Sequence, residues 1–254
     1  MICCQFSKED YMGIFKIKAD KFEWIGGAAD DPQDRCLHGR VTVQFGDTVL
    51  EDIGTVSATA LYLLKTLTED KVMAYNDIEM IPCCGHFLVA NKDLTEVSII
   101  GCDTGTDWST IHEGNSVRFV LPSGQEEVVT LREYQYEVLD FAKSVKEFYD
   151  ACTPKEIPED EFDRNGYITF WNEWQRRYND GLMLLSLETG REMELSHDGL
   201  RYFVSHKDGE WSLYCKESKE IQLFPGWCAL YENARFGDKL LKDEVANISF
   251  DAIL

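Results

Sequence analysis

Five side chains between positions 83 and 103 offer the densest supply of soft ligands in the chain. Cys83 and Cys84 precede one run of strand-forming residues, His86 lies at its start, and Cys102 and Asp103 follow the next. The runs 85–90 and 97–101 flank Asn91-Lys92-Asp93, a turn by composition. Folding that hairpin pairs positions whose numbers sum to roughly 187, which carries Cys84 and His86 toward Cys102 and Asp103. Thiolate and imidazole suit zinc, so Cys84, His86, Cys102 and Asp103 are the candidate metal ligands. Asp107 and His112, one strand further on, would assist. Adjacent cysteines point to opposite sides of a strand, however, so only one of Cys83 and Cys84 can face such a site. The spacing is also not that of paired CxxC ligands. Reduced thiols are therefore the expected state of the nine cysteines, most of them buried, and no cofactor is expected.

Other chemistry is thinner. Asp103-Thr-Gly-Thr-Asp107 lacks the further oxygens of a calcium loop. No GxSxG elbow accompanies the serines, and the glycines do not fall in a phosphate-cradling pattern. His38-Gly39-Arg40 is one histidine near one arginine, and it reads as a strand entry.

The elements that must position these groups are plainer. Leu131, Tyr134, Val138, Phe141, Ala142, Val145, Phe148 and Tyr149 recur at steps of three and four, which predicts an amphipathic helix over 131–151. Thr130 and Glu133 form a capping box at its start, in which the carboxylate is expected to reach back to the cap. Thr153-Pro154 stops it. The connector that follows carries Glu156, Glu159, Asp160, Glu161 and Asp163. An aromatic helix over 166–178 comes next, with Tyr167, Phe170, Trp171, Trp174 and Tyr178 on helical spacing. Upstream, short strands joined by turns imply an antiparallel meander around a buried helix at 55–67. Beyond position 180 the pattern changes to short strands, beginning at 182–187, with turns at Thr189-Gly190, Asp198-Gly199 and Asp208-Gly209. His197 and His206 are expected at the surface. The predicted fold is α+β: an antiparallel sheet covered by the long helix in a domain of residues 1–180, with a small β-rich domain at 181–254.

The formal charge is −21. Residues 1–180 hold 33 acidic and 17 basic side chains, a net of −16; residues 181–254 hold 13 and 8, a net of −5. Such a surface repels nucleic-acid phosphates and attracts a basic protein partner. The acidic connector residues Glu156, Glu159, Asp160, Glu161 and Asp163 are the candidates for that contact, with Trp171 and Trp174 as anchors. There is no apolar run of membrane-spanning length, and the first ten residues lack the plan of a signal peptide, so a cytoplasmic protein without a membrane partner is expected.

Three segments taken together are similar to something known. They are Ile81-Pro-Cys-Cys-Gly-His86, then Gly101-Cys-Asp-Thr-Gly-Thr-Asp-Trp108 with His112, then the stretch from Glu133 to Phe170-Trp-Asn-Glu-Trp174. This pattern resembles a group of uncharacterised cytoplasmic proteins of Gram-positive bacteria, over roughly residues 35–178. The tail from Asp198 to Asp243 looks like an accessory module in similar bacterial proteins. In general character such small acidic proteins resemble the immunity proteins that neutralise toxins. The acidic surface, with that general likeness to immunity proteins, gives the expected function as a non-enzymatic binding protein that engages a basic partner; the alternative is a metal- or thiol-dependent enzyme on Cys83, Cys84, His86 and Cys102.

Overall fold

The computed structural model describes residues 14–25, 30–74, 78–85, 87–101 and 104–254. The described residues up to Trp174 form one compact unit, and Gln175 to Leu254 form another.

The first unit is α+β, as expected. Its strands β1 (Phe15–Trp24), β2 (Leu37–Phe45) and β3 (Thr48–Thr55) form an antiparallel meander. β2 alternates fully between buried and half-buried positions, so Leu37, Val41, Val43 and Phe45 face inward. β3 runs directly into α1 (Val56–Lys65), which is buried almost all round. Two short ribbons follow: β4 (Ile81–Pro82) pairs later in the chain, and β5 (Phe87–Ala90) pairs with β6 (Val97–Ile100). The register Phe87↔Ile100 is the one inferred from the turn composition. β7 (Gly105–Thr106) completes the ribbon with β4. β8 (Ser109–Glu113), β9 (Ser116–Val120) and β10 (Glu126–Thr130) make a second meander that feeds α2 (Leu131–Ala151). The antiparallel strands thus divide among several small sheets, where a single one was expected.

Aromatic packing joins these pieces. Phe119 of β9 stacks on Phe15 of β1 at 4.8 Å, and Tyr134 of α2 meets both rings edge-on at 5.2–5.4 Å. Phe45 and Trp108 close the cluster. The Thr130 hydroxyl accepts from the Glu133 amide at 3.1 Å, but the Glu133 carboxylate does not return to the cap. It accepts instead from the Phe15 amide at 3.3 Å, tying α2 to the start of β1.

α3 (Glu161–Glu188) is longer than the 166–178 helix the aromatics predict. It begins early because Asp160 caps it, accepting from the amides of Phe162 and Asp163 at 2.9 and 3.2 Å. Gly166 does not interrupt it. A methyl group there would sit 2.1 Å from the Leu88 carbonyl oxygen, so glycine is what lets β5 lie against the helix. The helix also continues through 182–187, where a strand was expected. That run contains leucine and methionine without β-branched residues, and a continuous apolar run has no period to separate helix from strand. The division between the units accordingly falls inside α3, between Trp174 and Gln175, and not at 180/181.

The second unit is built on β11 (Met193–His197), β12 (Leu200–Lys207), β13 (Glu210–Cys215) and β14 (Ile221–Phe224). After them come α4 (Trp227–Asn233), the ribbon β15 (Arg235–Phe236) with β16 (Lys239–Leu240), α5 (Leu241–Glu244) and β17 (Ser249–Ile253). The sheet is antiparallel in the order β14-β13-β12-β11-β17. Asp198-Gly199 and Asp208-Gly209 both have positive φ at the two turn positions, the geometry that two-residue hairpins require. Asn179 on α3 donates to the carbonyls of Val245 and Ile248, both at 2.9 Å, which fixes the chain's end against that helix.

His197 is buried, not superficial. It stacks on Phe236 at 4.6 Å, and its Nε2 lies 2.8 Å from Glu244 Oε2. Hydrogen bonding to His197, then to Asn247 and Lys239, holds the Glu244 carboxyl down from 4.5 to about 2. A carboxyl depressed in the folded state contributes stability that is present above 4.5 and lost as pH falls toward about 2. Acid melts of the second unit are therefore expected to be steep in that window. Glu244→Gln should flatten them there while lowering stability at neutral pH.

Candidate functional site

The proposed metal ligands cannot be assembled from what is seen. Of Cys84, His86, Cys102 and Asp103, only Cys84 is among the described residues, and it is half-buried. Among the described residues no group of three or more histidine, cysteine, aspartate or glutamate side chains could hold a metal ion. The two expected assistants have other work. Asp107 accepts from Lys71 Nζ through both oxygens at 2.7 Å and from the Met80 amide at 3.0 Å. His112 Nδ1 lies 2.9 Å from Asp70, whose carboxyl is lowered by the His112 amide and ring. Both pairs hold strands in place. Among the described residues no helix is long and apolar enough to cross a membrane.

The acidic connector between α2 and α3 lies exposed, but its backbone is tightly fastened. Lys155, whose side chain is only 1% exposed, places Nζ 3.3 Å from the centroid of the Trp24 ring. The same ammonium donates to Asp30 Oδ1 at 2.7 Å and to the Asp31 carbonyl at 2.9 Å. Lys155, then the Thr153 amide, hold the Asp30 carboxyl below the usual carboxylate range. The Glu156 amide donates to the Pro32 carbonyl, and Arg35 Nε donates to the Glu156 carbonyl at 2.7 Å. Segment 30–36 and the connector are thus laced together.

Between this laced pair, β5 and the first half of α3 lies a cleft of about 580 Å³. Asp31, Asp34 and Asp163 contribute carboxylates to its lining and Arg35 a single guanidinium, an excess of two negative charges. Tyr167, Phe170 and Trp171 supply aromatic wall. Arg35 lies over the Tyr167 ring at 5.9 Å, and Trp171 packs on Tyr149 at 4.5 Å. The mouth is apolar: Ile25 is 55% exposed and Phe87 46%. Phe162, beside Asp163, meets Phe87 with ring centroids 5.7 Å apart.

The candidate contact residues take different places around this cleft. Asp163 and Trp171 line it. Glu156 and Asp160 are partly committed, Glu156 to Gln33 Nε2 at 3.4 Å and Asp160 to capping α3. Glu159 and Glu161 are exposed. Trp174 is 1% exposed and packs inside the unit, so no partner can reach it. Its position one turn beyond Phe170 and Trp171 puts it on the inward face of α3.

At the back of the cleft stand residues that the sequence reading passed over. Cys36, buried, lines it and places Sγ 3.6 Å from the Thr55 hydroxyl. Thr55 Oγ1 is in turn 3.5 Å from His38 Nε2. The register explains the grouping: Cys36 and His38 are two apart at the start of β2, and His38 pairs with Thr55 of β3. His38 Nδ1 faces the Cys36 carbonyl at 3.3 Å, and Nε2 faces the Cys83 carbonyl at 3.1 Å. Carbonyl oxygens only accept, so the imidazolium, with a proton on each ring nitrogen, is the form that satisfies both contacts. Its pKa is pushed up to about 9, chiefly by hydrogen bonding to the Cys36 side chain and by these carbonyls, against the lowering effect of burial. Arg40 pairs bidentately with Asp20 at 2.7–2.8 Å and is not part of the group. The signal in the sequence was Cys36-Leu-His38 at a strand entry, an i,i+2 pair on one face. No protein-family model, curated protein or solved structure matches this chain.

Proposed function

We propose that the chain is a non-enzymatic binding protein whose cleft receives a cationic side chain, arginine or lysine, of a basic protein partner. The observation that carries this reading is the pairing of excess carboxylate with aromatic wall in one recess. Carboxylates attract the charge, and aromatic faces hold a cation by their quadrupole. Among the described residues the Asp163 carboxylate has no ion-pair or hydrogen-bond partner, which leaves it free to take one. The exposed Ile25, Phe87 and Phe162 at the mouth add the apolar contact that a charge pair by itself does not supply. The net charge of −21 speeds encounter with a basic partner.

Arginine amide and its uncharged isostere citrulline amide separate this reading from general acidity. Calorimetric titration is expected to show saturable binding of arginine amide that weakens as salt is raised, and none of citrulline amide. Asp163→Asn should weaken the arginine amide by about 1.5–3 kcal/mol, the size of a charge-assisted hydrogen bond. Equal binding of both amides, or no loss in Asp163→Asn, would remove the cleft from the account.

A further inference from the structure

One wall of the cleft carries a thiol with a hydroxyl and a histidine ring beside it. Cys36 is 4% exposed and lines the cleft. The Thr55 hydroxyl, 3.6 Å from Sγ, is not spent on capping α1, since Thr55 makes no side-chain cap hydrogen bond there. It is free to donate to sulfur. The protonated His38 ring lies behind it. The first turn of α1 carries no acidic residue, so the positive end of that helix is uncompensated where Ser57 faces the cleft. Ser57 is 5% exposed. The charges that face the group from the other side are the Asp34 carboxylate, which accepts from the Cys36 amide at 3.1 Å, and Arg35.

We propose that Cys36 is a nucleophilic capture site for small electrophiles that enter the cleft, with neutral and cationic ones admitted and anionic ones refused. The thiol half stands on the Cys36–Thr55–His38 group; the charge preference rests on the cation-accepting reading of the cleft. The ligand class is an α,β-unsaturated carbonyl compound. Sulfur adds to the β-carbon, the π pair moves to the carbonyl oxygen, and the enolate takes up a proton equivalent to the one the thiol released. Nothing leaves and no oxidant is needed. A deprotonated sulfur beside a cation and a hydroxyl donor is the reactive form, whereas a thiol buried among aliphatic groups is inert.

N-ethylmaleimide, which is neutral, tests the thiol. Intact-mass and peptide mapping of the folded protein should find Cys36 labelled ahead of the exposed Cys83 and Cys228, despite its burial. His38→Gln should slow Cys36 on the order of tenfold and leave Cys228 unchanged. If that variant does not fold, Thr55→Val, which removes only the hydroxyl donor, should slow Cys36 in the same direction. Protection of Cys36 until the protein is denatured, or an unchanged rate in the folded variant, overturns the proposal. A pair of methanethiosulfonates, one with a trimethylammonium tail and one with a sulfonate tail, then tests the charge preference. Each transfers its thioalkyl group to sulfur and expels methanesulfinate. Faster reaction of the cationic reagent supports the cleft reading. Equal rates with fast maleimide labelling would sink the charge preference and that reading while leaving the nucleophile standing.

Discussion

Replacing Glu173 by alanine is expected to destabilise the first unit by about 3–5 kcal/mol, the cost of stranding one half of a buried ion pair. The Glu173 side chain is fully buried. Its Oε1 lies 3.2 Å from Lys65 Nζ, and its Oε2 accepts from the Val97 amide at 2.8 Å. Lys65 also donates to the Val97 carbonyl at 3.0 Å. One carboxylate therefore satisfies α1 and β6 from α3 at the same time. Its removal leaves an ammonium that is largely withdrawn from water and an orphaned backbone donor. The measurement is urea unfolding followed by tryptophan fluorescence, with Lys65→Met, Glu173→Leu and the double variant completing a cycle. The double variant should recover much of the loss, because a well-packed apolar pair avoids both stranded groups. A loss below about 0.5 kcal/mol for Glu173→Ala would mean that the pair is solvated and that α3 is held by apolar packing alone.

The second large effect is expected at Gly166. Alanine normally stabilises a helix interior by about 1 kcal/mol relative to glycine. Here the added methyl would stand 2.1 Å from the Leu88 carbonyl oxygen and 2.9 Å from its carbon, and a backbone carbonyl cannot rotate aside as a side chain can. The helix and β5 must separate, at a net cost of about 2 kcal/mol or more. Because Phe87 and Leu88 line the cleft, the same substitution should weaken arginine amide binding. Asn172→Ala, at an exposed position of the same helix, provides the comparison and should be neutral or slightly stabilising. If Gly166→Ala behaves like Asn172→Ala in both stability and binding, β5 does not rest on α3 as described.

Local chemistry made some elements legible and left others hidden. α2 could be read because its apolar spacing, its Thr130 cap and the Thr153-Pro154 stop all agree. The Asp-Gly hairpins of the second unit and the β5–β6 register were legible because turn residues announce themselves. The far half of α3 was not legible, since 182–187 is apolar at every position but one and carries no period. Trp174 was misplaced for a related reason. Aromatic spacing identifies a helical face, but it cannot say whether that face looks outward. The site itself was hardest to foresee. Cys36 and His38 were visible as a pair two residues apart, but Thr55 joins them only through the β2–β3 register, and Asp163 and Tyr167 only through the packing of α3 on β5. The cysteine-rich stretch drew attention by composition, while the groups that meet around a recess are drawn from four separate segments.

Whether the cleft takes a cation decides the function of this protein. The most direct measurement is a crystal structure of the protein with arginine amide. The guanidinium is predicted inside the recess, against the Asp163 carboxylate and over the face of Tyr167 or Trp171. A guanidinium bound only to the outer carboxylates Glu159 and Glu161, with the recess filled by water, would contradict it.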